Sequence, residues 1–140
     1  MVSRCKKFIT ESFKGFTLIE LLVVVAILGI ISAIGVVAYN GYISGTQKKS
    51  AENMMQQIGL AETEEYSSYG SYYGEDSTCD LDTTQDIGDS LFGSIDYIDT
   101  DKIGYYFCVL AAGSTYTVHA QSIKPGCNMT LDSSGNFTKC

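Results

Sequence analysis

Glu20 is the residue whose chemistry stands out first. It lies in a run from Phe16 to Tyr39 whose only other polar side chains are Thr17, Ser32 and Tyr39, and which holds no proline. A carboxylate at bilayer depth costs roughly 2.5–3.5 kcal/mol on insertion scales, and such residues usually have a functional partner. Four cysteines, Cys79, Cys108, Cys127 and Cys140, follow the run, and a fifth, Cys5, precedes it. Two acidic stretches, Asp80-Leu-Asp82-Thr-Thr-Gln-Asp86 and Asp96-Tyr-Ile-Asp99-Thr-Asp101, have oxygen ligands to offer a cation, and His119 is the only histidine.

Most of these groups fail the chemistry they suggest. An EF-hand loop needs oxygen ligands at positions 1, 3 and 5 and glycine at 6. Counting from Asp80, Thr84 and Gln85 stand at the last two positions, and the pattern fails. Asp96, Asp99 and Asp101 read as a solvated acidic surface. No metal and no cofactor is expected. Asn128-Met-Thr130 and Asn136-Phe-Thr138 match the N-glycosylation pattern, a weak signal by itself. The chain has no glycine-rich phosphate loop and no nucleophile elbow, and His119 is expected on a solvent-facing strand face with Thr115, Thr117 and Gln121. The expectation is that the protein is not an enzyme.

The cysteines point elsewhere. Their spacings hold no C-x-x-C knuckle, which argues against zinc. An even set in a small exported domain reads as disulfides, with three pairings open to four cysteines.

The elements that must position these residues follow from periodicity and charge. The apolar run is long enough for a bilayer, which needs about 20 such residues. Arg4, Lys6, Lys7 and Lys14 precede it, whereas the segment from Phe16 onward carries five basic and fifteen acidic residues, a net of −10. Positive charge before the run places the N-terminus in the cytoplasm and the acidic remainder across the membrane. Such a remainder is a poor nucleic-acid binder, because phosphate contacts need Lys and Arg. Beyond Tyr39, Ala51, Met54, Met55, Ile58 and Ala61 recur at spacings of three and four and predict the buried face of an amphipathic helix reaching about Tyr66. Lys48, Lys49, Glu52, Gln56, Gln57, Glu62 and Glu64 are expected mainly off that face. At 1.5 Å per residue the whole helix would measure roughly 75 Å.

Tyr66-Ser-Ser-Tyr69-Gly-Ser-Tyr72-Tyr73-Gly ends the helix, its tyrosines half-buried where a loop packs on a sheet. Residues 75–102 read as a long acidic, turn-rich loop anchored by Leu81, Ile87, Leu91, Phe92, Ile95 and Ile98. Gly104–Ala111, then Thr115–Gln121 with Tyr116, Val118 and Ala120 on one face, and residues near 128–131 and 136–138 read as strands of an antiparallel meander. The fold class is therefore α+β, a long N-terminal helix packed through its amphipathic half on a small sheet. The expected divisions are 1–15, 16–39, 40–67, 68–102 and 103–140.

From Lys14 to Gly29 the sequence, Lys-Gly-Phe-Thr-Leu-Ile-Glu-Leu-Leu-Val-Val-Val-Ala-Ile-Leu-Gly, resembles the class III, prepilin-type signal of type IV pilins and type II secretion pseudopilins. The close match reaches about Tyr42. The resemblance implies that residues 1–15 are a leader, that Gly15 is its last residue, and that a prepilin peptidase cuts there and methylates the new amine of Phe16. It implies that Glu20 promotes assembly of a homo-oligomeric filament. Independently of the family, a four-residue offset puts the Phe16 amine and Glu20 on one helix face, and a buried charge is tolerable only when paired. A neighbour's Phe16 amine would satisfy Glu20 and set axial register.

Two departures matter. The leader is longer than is common in the family, and Val37 stands where many pilins have a proline. With Gly29 and Gly35 flanking that stretch, any unwinding in a filament is expected between them. Of the three disulfide pairings, Cys79 with Cys108 and Cys127 with Cys140 is the expected one. The second would close a loop like the cysteine-bounded region near the end of many pilins. The expected function is a type IV pilus subunit, held in the inner membrane before assembly and on the cell surface after it, with the assembly machinery and its ATPases as partners. The alternatives are a secretion pseudopilin and an uncleaved bitopic protein presenting an acidic binding domain.

Overall fold

The computed structural model describes residues 15–74 and 78–139. The chain divides between Asn40 and Gly41 into two units, which a single helix, α1 (Leu18–Tyr69), runs through. In the first unit every described residue is exposed, and the helix stays regular across Gly29 and Gly35. A backbone entering lipid must satisfy its N–H and C=O groups within the segment, and a helix does so.

The second unit holds the core. Ala51, Met55 and Ile58 on α1 are buried against Phe107, Val109, Tyr116, Val118, Met129 and Leu131 of a four-stranded sheet. The strands are β1 (Tyr105–Ala112), β2 (Thr115–Ser122), β3 (Met129–Asp132) and β4 (Phe137–Thr138), antiparallel in sequence order. A two-residue turn at Gly113-Ser114 sets the β1–β2 register, with Ala112 opposite Thr115 and Gly113 at φ 62°. Tyr116, Val118 and Ala120 are buried and their alternates are not, so the predicted period of two holds through β2. The α+β architecture is the one the sequence predicts.

The helix face differs from expectation in two places. Glu52 and Glu62 are buried rather than solvated. Residues 51, 55, 58 and 62 follow one helical stripe, so Glu62 sits in line with the apolar contacts. Glu52 is compensated by Lys49 at 2.9 Å and Lys139 at 3.1 Å. At Gly59 the sheet comes so close that a Cβ would meet the Tyr116 hydroxyl at 3.0 Å; that hydroxyl donates to the Gly59 carbonyl at 3.0 Å.

The acidic region corrects a second expectation. Within the stretch read as loop lie α2 (Leu81–Phe92) and the short α3 (Thr100–Ile103). Asp80 caps α2 by accepting from the Thr83 amide at 2.9 Å, while the Thr83 hydroxyl accepts from the Asp80 amide at 3.0 Å. The apparent calcium ligand Asp80 is thus a helix cap, and this reciprocal pairing explains why an acidic stretch becomes helical. Gly93, at φ 71°, closes the helix.

α2 lies against β1, the edge of the sheet. The Thr84 hydroxyl accepts from the Phe107 amide at 2.8 Å, and the hydroxyls of Thr83 and Thr84 lie 3.3 and 3.2 Å from the Phe107 carbonyl. Two side chains thereby take the place of a further strand at an edge that would otherwise template pairing. Cys79 and Cys108 are joined, with Cα atoms 4.8 Å apart. The expected Cys127–Cys140 pair lies outside the described residues, because Cys140 does. The proposed leader, residues 1–14, lies outside them as well.

Candidate functional site

The site of interest is the start of α1. Gly15, Phe16 and Thr17 precede the helix, which begins at Leu18. The Thr17 carbonyl accepts the Leu21 amide at 3.2 Å, the first bond of the helical ladder. The Glu20 amide donates to the Thr17 hydroxyl oxygen at 3.3 Å, and the Thr17 amide donates to Glu20 Oε2 at 2.8 Å. Those two bonds form a capping box, with Thr17 at the cap and Glu20 at the third helical position. The Thr17 hydroxyl adds a third contact to the same Oε2, at 2.7 Å.

This geometry revises the argument from helical spacing. Phe16 lies outside the helix, so it shares no helical face with Glu20. The group nearest the carboxylate is Thr17, one residue further on. The signal was present in the sequence as Thr17-Leu-Ile-Glu20, an S/T-x-x-E pattern opening an apolar run, and the resemblance drew attention to Glu20 without it. Oε2 takes both of the carboxylate's contacts to Thr17, which leaves Oε1 to take a donor from elsewhere. Phe16 is 90% exposed and Gly15 has no neighbour within 4 Å of where a Cβ would stand, so the Gly15–Phe16 bond is open to approach.

Behind the cap, the apolar window of α1 is long and apolar enough to cross a membrane, with none of it buried within the chain. Leu18, Ile19, Ile30, Ile34, Val36 and Val37 are all exposed. A soluble monomer rarely exposes so large an apolar surface, which marks a membrane or protein contact.

The other predicted groups, the Cys79–Cys108 bond among them, belong to the second unit. His119 is half-buried rather than solvent-facing, opposite Cys108 in the β1–β2 register, and burial holds its imidazole below the usual range. The tyrosines of the helix exit pack together: Tyr72 lies between Tyr66 and Tyr116, with ring centroids 4.5 and 4.9 Å away. Among the described residues, no group of three or more His, Cys, Asp or Glu side chains is arranged to hold a metal ion.

Residues 12–36 match the family described as the prokaryotic N-terminal methylation motif. The sequence is 36% identical over 74 residues to a fimbrial protein of Neisseria meningitidis serogroup B, covering 53% of this chain and 44% of that protein. It is 38% identical over 71 residues to the fimbrial protein EcpC of Eikenella corrodens, covering 51% of this chain and 46% of the other. Over a shorter stretch of 34 residues it is 65% identical to the type IV major fimbrial protein FimA of Dichelobacter nodosus, covering 24% of this chain and 21% of that protein. The chain thus spans less than half the length of the curated relatives it matches. No solved structure matches it significantly.

Proposed function

We propose, from the methylation motif and the fimbrial proteins that this chain resembles, that it is a type IV pilin, a structural subunit of a type IV pilus. The observation that carries the reading is the coincidence of that motif with a helix whose apolar window is wholly unburied. An apolar helix left unburied among the described residues needs lipid first and other copies of itself afterwards.

In this reading the subunit waits in the inner membrane, its basic N-terminus in the cytoplasm and its acidic unit outside. A prepilin peptidase cuts between Gly15 and Phe16 and methylates the Phe16 amine. Assembly ATPases then drive the helix from lipid into the filament core. There Glu20 meets the Phe16 amine of a neighbouring subunit, and the pair neutralises two charges that would each be costly alone. Its energetic weight lies in specificity: a subunit out of axial register leaves an unpaired carboxylate in an apolar core. Any unwinding on assembly would fall between Gly29 and Gly35, because each interior glycine lowers helix stability by about 1 kcal/mol relative to alanine.

The test is the mass of the mature N-terminus. Protein recovered from sheared surface filaments should begin at methylated Phe16. A mature chain retaining Met1 and absent from such filaments would sink the proposal and favour an uncleaved membrane protein.

A further inference from the structure

We propose that Glu62 is a proton-controlled latch that holds the helix exit, residues 70–74, against α1 and β2. Glu62 is 0% exposed, on the same stripe of α1 as Ala51, Met55 and Ile58. Its Oε2 accepts the Tyr73 amide at 2.9 Å, a bond that spans eleven residues and crosses the end of the helix. Its Oε1 is buried with no hydrogen-bond partner. A carboxyl placed this way is suited to the neutral acid, since the ionised form would carry charge on an oxygen that no donor reaches.

Among the described residues, the surroundings offer little to offset ionisation. From α1, Glu65 adds a like charge. From the helix exit comes the Tyr73 amide, and from β2 comes Tyr116, whose hydroxyl donates to the Gly59 carbonyl. No lysine or arginine among the described residues forms an ion pair with Glu62. Burial, offset in part by the Tyr73 amide and reinforced by Glu65, raises the carboxyl to about 7.

The helix exit is the element free to respond. Gly70 ends α1 in the left-handed region at φ 75°, its amide on the Tyr66 carbonyl at 2.8 Å, and the chain turns back so that Tyr72 stacks between Tyr66 and Tyr116. When Glu62 loses its proton, lifting residues 70–74 lets water reach Oε1, at the cost of the Tyr72–Tyr116 ring contact and the close approach of Gly74 to Ala111 of β1. If the carboxyl reverts to an ordinary value in the open form, the ratio of open to closed rises about tenfold per pH unit between the two values. The protein then displays a different surface at the helix exit in acidic and in neutral surroundings. This inference concerns the second unit alone and stands whether or not the chain assembles into filaments.

Amide-resolved hydrogen exchange on the full chain in detergent micelles tests it, at pH 5.5 and 7.5 and corrected for intrinsic exchange. The Tyr73 amide should lose protection at least tenfold, while the Phe107 amide in β1 keeps its own. Glu62→Gln, which cannot ionise, should abolish the change. A flat Tyr73 response in the wild type, an equal response in Glu62→Gln, or an equal loss at Phe107 would each overturn the latch. Should the variant fail to fold, the wild-type side-chain carboxyl can be titrated by carbon NMR. Its midpoint must coincide with that of the Tyr73 protection change, and separate midpoints overturn the proposal.

Discussion

Glu20 has one job in the structure and a second in the proposed filament, and substitution can separate them. In the structure its carboxylate caps α1 through Thr17, whereas in the proposed filament its charge pairs with an amine. Glu20→Gln keeps a carbonyl oxygen for the Thr17 amide but removes the charge, while Glu20→Ala removes both. We expect Ala to fray the first turn, because the Thr17 amide loses its acceptor, and Gln to keep that turn intact. Filament yield should fall in both. Normal filaments from Glu20→Gln would assign the residue to capping alone. Glu62 supports a second prediction at this scale. Its folded carboxyl, raised by burial to about 7, lies above the value near 4.3 of an unfolded glutamate. The folded protein therefore holds the extra proton between those values, and stability falls as pH rises through that window and levels off above about 7. The loss is on the order of 3 kcal/mol, limited by whatever residues 70–74 relieve by opening. Denaturant midpoints across pH 4–8 should follow that slope in the wild type and flatten in Glu62→Gln; parallel curves would refute the assignment.

α2 shows how a peripheral helix can complete a sheet. Among the described residues no strand lies on the outer side of β1, and the Thr84 hydroxyl fills that role for the Phe107 amide while also donating to the Asp80 carbonyl at 2.7 Å. Thr84→Val matches the shape of threonine and removes the hydroxyl. It should cost about 1–3 kcal/mol, the penalty for a buried group left unsatisfied, and lower the thermal midpoint by roughly 4–8 °C per kcal/mol in a domain of this size. A shift below one degree would mean that water or another group satisfies Phe107. The neighbouring Cys79–Cys108 bond closes 29 residues of sequence over the same contact. By the chain-entropy account such a bond contributes roughly 3 kcal/mol, although its mechanism is model-dependent. Cap, threonines and disulfide together fix the acidic segment on the sheet edge.

At the scale of the whole molecule, the two units obey different solvents. None of the apolar window of α1 is buried, whereas the core contacts of Ala51, Met55 and Ile58 all lie beyond Gly41. The second unit should therefore fold without the first. A chain beginning at Gly41 is expected to be soluble and monomeric by size exclusion, with the β1–β2 hairpin amides protected, whereas the full chain requires detergent or lipid. Aggregation of the shortened chain, or loss of hairpin protection, would show that the apolar helix takes part in the fold. The net of −10 carried from Phe16 onward belongs mostly to this second unit, which would keep it in solution.

Local signals were enough for much of this protein. The apolar run, the basic cluster before it and the motif around Gly15, Phe16 and Glu20 are each written within a few residues. The alternation in β2 and the glycine turn after β1 likewise depend on neighbours in the chain. Periodicity also gave Ala51, Met55 and Ile58 their common face. It did not reveal that Glu62 continues that stripe into the core, because a carboxylate is expected outside until the Tyr73 amide is seen to meet it. Nor did it reveal the helix in the acidic stretch, although Asp80 and Thr83 have capping-box spacing and the motif around Thr17 and Glu20 was equally readable. Only the tertiary structure placed Thr84 on Phe107 and folded residues 70–74 over Glu62. The Tyr73–Glu62 and Thr84–Phe107 bonds join residues 11 and 23 positions apart, and their energy depends on which polar groups lose water together, which no local pattern records.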